Sequence, residues 1–234
     1  MSTDFQILQG YQPVAAIGVD ARATFINRTY NHLMGAIVLF TLIEVALFQS
    51  GYAESIAQVL LGGSWLLVLG AFMLVSWFAS RISLTSESKG AQYAALGGFI
   101  VAESIIFVPM LWLAEMSAPG AIQSAAVVTL VGFAGLTAVA FVTRKDFSFL
   151  RGMLMWGGVV AILAIVGGAL FGFALGTWFS VAMVGFAGAA ILYDTSNVLH
   201  HYPEDRYVGA ALQLFASVAL MFWYVLRLFM GNRD

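Results

Sequence analysis

Residues 149–196, "FLRGMLMWGGVVAILAIVGGALFGFALGTWFSVAMVGFAGAAILYDTS", carry 48 residues with Arg151 and Asp194 as their only charges. As one continuous helix this stretch would be about 70 Å long, roughly twice the thickness of a bilayer's hydrocarbon core. It therefore reads as two membrane-crossing helices, 149–171 and 174–196, joined by a tight hairpin at "FGFALG", 171–176. That division sets the pattern for the rest of the chain. About 20 apolar residues cross the hydrocarbon, and five more stretches meet the criterion: 32–51, 58–80, 91–114, 121–143 and 208–230. Short joints separate them, among them "SGYAES", "SRISLTSESKG", "EMSAPG" and "TRKDFS".

Composition agrees with this reading. Of 234 residues, 61% are apolar and 9% charged, about a third of the charge share of an ordinary soluble domain. The expected fold class is an all-α membrane protein, a bundle of seven transmembrane helices with the lipid bilayer as its principal partner. Residues 1–31 form a polar amino-terminal tail, 32–230 the membrane domain and 231–234 a short carboxyl-terminal tail. The net charge of −2 gives no electrostatic case for nucleic acid. The absence of cysteine excludes disulfides and thiolate metal sites. The first 31 residues lack the apolar core of a signal peptide and the acid-poor character of a transit peptide; they read as solvated.

Cations fix the expected orientation. Arg22, Arg28, Arg81, Lys89, Arg144, Lys145, Arg151 and Arg206 fall on the amino-terminal side, while the opposite joints carry Glu54 and Glu115. The amino terminus is expected in the cytoplasm, which leaves Arg227 and Arg233 on the far side if the seventh segment crosses.

Several strings resemble one family in position as well as composition. "RKDFSFLRGML" (144–154) is similar to the turn and start of the fifth helix in the Bax inhibitor-1 family, and "ILYDTSNVLHH" (191–201) to the end of its sixth. "ALQLFASVALMFWYVLRLF" (211–229) resembles the last helix, and "INRTYNHLMGAIVLF" (26–40) the entry into the first. The likeness runs in order through nearly all of the chain after residue 25. It implies a multi-pass protein of the bacterial inner membrane and a proton-sensitive calcium or cation leak. In that family two aspartates form a latch, because neighbouring carboxylates resist ionising together. The resemblance also implies an alternative, a non-conducting accessory subunit that binds a larger membrane complex such as a protease of the FtsH type.

Intramembrane acids are costly and normally face a partner or a cavity. Asp194 shares a helix face with Ala190, Ala187 and Met183 and is expected to point inward. The resemblance makes it the ion or proton site, a transient calcium ligand. The family's second aspartate falls on Ser217, so the latch as such is missing. Gln213, Ser217, Met221 and Tyr224 still form one stripe that can meet Asp194. Glu103, in the third span, stands as a possible relocated partner. Arg81 is the nearest candidate for the arginine that the family pairs with its aspartates, although it lies a couple of residues beyond the matching position. Glu44 has the simpler expectation of snorkelling toward the headgroups.

The cluster "HHYPED" (200–205) is expected to be a solvated loop, and His32 an interfacial residue. Asp146 or Ser148 is expected to cap the fifth span, since their side chains can accept from a helix's first N–H groups. No nucleophile–base set, phosphate loop or His-Glu metal motif is present, so neither an enzyme nor a resident cofactor is expected.

Overall fold

The computed structural model describes residues 12–63 and 65–231, which form eight helices. The first eleven residues and 232–234, and with them parts of both expected tails and Arg233, lie outside the described residues. In chain order the helices are α1 (Val19–Gln49), α2 (Tyr52–Gly62), α3 (Trp65–Thr85), α4 (Lys89–Ser117), α5 (Ala121–Thr143), α6 (Leu150–Phe171), α7 (Thr177–His200) and α8 (Tyr207–Gly231). Seven of them, all but α2, are long and apolar enough to cross a membrane.

Burial divides these helices into a centre and a rim. In their most apolar 18-residue windows, 72% of α8 and 67% of α4 are buried, against 6% of α6. Thus α8 and α4 form the middle of the bundle. The helices around them present Leu67, Val131, Trp156 and Leu163 outward. An apolar exterior is what a bilayer solvates and water does not. Two large clusters fill the interior. One groups Phe25, Leu33, Phe99 and Phe215; the other groups Phe107, Leu111, Ile191 and Leu226.

Small residues set how closely the helices approach. A Cβ built on Gly209 would lie 2.7 Å from the Ser83 carbonyl oxygen and 2.8 Å from Leu84 Cδ2, so the start of α8 crosses the end of α3 where only glycine fits. The hairpin between α6 and α7 turns at Gly172, whose φ of 74° closes the end of α6 in the left-handed region. The "FGFALG" joint accordingly separates two helices as the sequence requires.

Two boundaries differ from the sequence reading. Helix α1 begins at Val19, well before residue 32, and the expected tail folds back onto the bundle from residue 13 onward. Val14 is fully buried, its N–H donates to the Tyr202 carbonyl at 2.9 Å, and Pro13 pairs with Pro203. Phe25 and Thr29 are also buried. Hydropathy missed this because the half-buried Arg22 and the exposed Asn27 and Arg28 are interspersed with those contacts along the same helix.

The second difference is α2. Its eleven residues span about 16 Å, too short to cross, and they lay Ala53 and Ala57 against Val108 of α4. Gly62 and Gly63 end it, so the second spanning helix starts at Trp65 rather than 58. Continuous apolarity through this region hid the break.

Candidate functional site

Asp194 lies on the inward face of α7, six residues before the helix end, with Ala187 and Met183 buried two and three turns earlier on the same face. Across the interface with α8, Ser217 Oγ donates to Asp194 Oδ2 at 2.5 Å. Both side chains are buried. One turn along α8, Met221 packs toward Gly132 of α5 and Gly188 of α7, which have no side chain to displace it. Close approach of the three helices is what brings the hydroxyl to the carboxyl.

Beside Asp194, Thr195 belongs to a second polar group. The hydroxyls of Tyr30 from α1, Thr137 from α5 and Thr195 from α7 are buried together. Three helices thus turn small polar groups toward one level of an otherwise apolar interior.

The end of the bundle next to Asp194 is closed by several tertiary contacts. The Arg206 side chain, 2% exposed, pairs with Asp205 at 3.5 Å and donates to the Ser86 carbonyl in the joint between α3 and α4. Lys89 donates to the Asp205 carbonyl, and Gln92 Nε2 donates to the same Ser86 carbonyl at 2.8 Å. Tyr202 packs its ring, tilted by 33°, against Phe25 with ring centroids 6.4 Å apart. Burial, and then the nearby Asp194 and Tyr193, push the Tyr202 phenol well above its ordinary pKa, so it stays neutral.

Asp146 braces the same end. It accepts from the Ser148 N–H at 2.9 Å, from Ser196 Oγ at 3.4 Å and from His201 Nε2 at 3.0 Å. Ser196 Oγ accepts in turn from the Phe147 N–H at 2.9 Å. The expected cap is therefore an inter-helix brace: α6 begins at Leu150 after Phe149, without a side-chain cap. Burial raises the Asp146 carboxyl, but the hydrogen bonds from Ser148 and His201 outweigh it and hold the group below its ordinary value.

The histidines have assigned contacts. His200 Nδ1 donates to the Ser196 carbonyl at 2.9 Å. His32 Nδ1 donates to the Arg28 carbonyl at 2.7 Å, which leaves Nε2 to accept from the Tyr93 hydroxyl at 2.9 Å. The "HHYPED" segment is in consequence a structured joint, tied to α1, α4 and the turn before α6, rather than a solvated loop.

Of the four candidate residues, Asp194 and Ser217 come together and the other two do not join them. Glu103 is buried in α4, and no hydrogen bond or ion pair links it to Asp194. Arg81 is exposed and lies over the Trp77 ring at 5.3 Å. At the close of α3 its side chain turns outward, and the buried arginine at this end is Arg206. The sequence reading used Arg206 only as a topology mark; its place after a proline-containing joint gave no signal of burial. Among the described residues, no three His, Asp or Glu side chains converge as a metal site would require. Asp194 thus offers one carboxylate, one adjacent hydroxyl and no further acid to a passing cation.

Glu44 departs from its expected role. Only 7% exposed, it keeps its carboxylate inside the bundle instead of reaching the headgroups, and neither oxygen has a hydrogen-bond partner among the described residues.

Residues 22–234 match the model of the family described as "Inhibitor of apoptosis-promoting Bax1". A modulator of FtsH protease, YccA of Escherichia coli, is 36% identical over 95 residues, a segment covering 40% of this chain and 43% of that protein. An uncharacterized protein of Pseudomonas aeruginosa is 29% identical over 68% of this chain and 73% of its own length. Bax inhibitor 1 of Schizosaccharomyces pombe is 25% identical over 92% of this chain and 79% of its own.

Proposed function

The chain belongs to the Bax inhibitor family, and from that premise we propose that it is a multi-pass regulatory subunit of the bacterial inner membrane that docks on a membrane-anchored protease of the FtsH type. The observation that carries this reading is the state of Asp194. Its carboxyl is matched to one neutral hydroxyl, and it is buried where α7 packs on α8. The end beside it is closed by Val14, Tyr202 and Arg206. A standing conduit needs a wet path past its acid, whereas a docking subunit needs a rigid bundle and outward faces. The similarity to YccA, itself a modulator of FtsH protease, supports the same reading.

In this role the chain carries no bond-making chemistry and no resident cofactor. Its amino terminus is cytoplasmic, because Arg22, Arg28, Lys89, Arg144, Lys145 and Arg206 gather at one end and such residues are retained inside. The test is reconstitution of an FtsH-type protease in liposomes with and without the chain, following degradation of a membrane substrate. Co-purification with a changed degradation rate is expected; no association and an unchanged rate would sink the reading.

A second reading, a proton-sensitive cation leak, is favoured by one observation, the burial of Asp194 at the contact of α7 with α8. Calcium prefers six to eight oxygen ligands, so the ion would be cargo, passing Asp194 with hydroxyl, carbonyl and water oxygens completing its shell. Calcium entry into proteoliposomes across a pH series tests it. Entry altered by Asp194→Asn supports the leak, and entry no faster than in empty liposomes at every pH removes it as a standalone activity.

A further inference from the structure

A cavity of about 480 Å³ lies between α1, α4, α5 and α8, walled by Phe40, Phe215 and Phe222. Two of its lining side chains are buried polar groups without partners among the described residues. Glu44 is 7% exposed with both carboxyl oxygens unmatched, and Thr129 is 2% exposed with its hydroxyl unmatched. Neither group touches Asp194 or the closure beside it. Buried polar atoms are ordinarily matched by hydrogen-bond partners, so two unmatched acceptor groups lining one cavity favour an occupant that carries donors. Glu115, at the mouth, adds a second carboxylate. Val45 and Leu130 also line the cavity and are exposed and apolar, which opens it toward lipid.

We infer that this cavity binds a single-chain amphiphile bearing a primary ammonium, entering from the bilayer. A primary ammonium has three N–H donors and no acceptor, and the two Glu44 oxygens with the Thr129 hydroxyl are three acceptors. The phenyl walls take the hydrocarbon, and the volume is that of sites for small organic ligands. Two carboxylates at the cavity exclude a phosphate, so an aminophospholipid is disfavoured against a simple long-chain amine. Charge and donor count together select the ligand class.

The probe is dodecylammonium, added to the full chain in neutral maltoside micelles, with thermal unfolding as the readout. Dodecanol supplies the same chain without charge, and dodecyltrimethylammonium supplies charge without N–H donors. A saturable rise in melting temperature with dodecylammonium, exceeding that with either control, is expected. Glu44→Gln should weaken the response at least about tenfold, as loss of a charge-assisted contact does, and Thr129→Val a few-fold. No saturable rise, an equal response to dodecanol, or full retention in Glu44→Gln overturns the proposal. If Glu44→Gln fails to fold, Ala126→Phe keeps the carboxyl and fills the cavity; binding must be lost there too, and its retention overturns the site.

Discussion

Ser217 Oγ and Asp194 Oδ2 lie 2.5 Å apart across the contact of α7 with α8, at the position where the family's resemblance calls for a second acid. A hydroxyl can donate to a carboxylate without repelling it, so the contact holds the two helices together instead of forcing them to share a proton. Ser217→Ala removes the hydroxyl that donates to Asp194 and should lower stability by about 1–3 kcal/mol. Adding Asp194→Asn to that variant should recover part of the loss. A double-mutant cycle by chemical denaturation in micelles reads the coupling, and additive effects would show that the contact contributes nothing.

The brace at Asp146 sets a pH dependence with a definite sign. Its carboxyl is held below the ordinary 3.8, so the folded state binds that proton less readily than the unfolded chain does. The resulting stability is present above 3.8 and is lost as pH falls through the lower folded value. Asp146 and His201 are both partly exposed, and the effect is small, under about 1 kcal/mol. Melting curves of the wild type and Asp146→Asn should differ at pH 7 and converge in acid. Parallel curves down to pH 3 would contradict the brace.

Gly209 should tolerate no side chain. A Cβ there meets Ser83 O at 2.7 Å, which is backbone and cannot swing aside. Gly209→Ala should force α8 away from α3 and destabilise the bundle by about 1–3 kcal/mol, the usual range for overpacking. A melting temperature equal to that of the wild type would show that the crossing is looser than this distance implies.

Closure of the end beside Asp194 can be read chemically, because the chain has no cysteine. Ser217→Cys introduces a single thiol at a buried position. A membrane-impermeant maleimide should label it slowly in the full chain. Val14→Asp, which places a charge in a fully buried contact, should loosen the amino-terminal segment and raise the labelling rate at least several-fold. Rapid labelling without the second substitution would mean that Val14, Tyr202 and Arg206 do not close the path.

The sequence by itself determined that this chain crosses a membrane seven times, since helix length against bilayer thickness leaves little choice for runs such as 149–171 and 174–196. Periodicity, a local property, also turned Asp194 inward and set Ser217 on one stripe with Gln213, Met221 and Tyr224, while the family resemblance put Ser217 opposite Asp194. Only the tertiary structure decided what closes the bundle. The burial of Val14 and Arg206 depends on residues more than a hundred positions away, and α2 was masked because its apolar residues look like those of a span. The outward turn of Arg81 and the inward turn of Glu44 were decided in the same way. A charged side chain is buried or exposed by the neighbours that helix packing brings to it, and those neighbours are not written next to it in the chain.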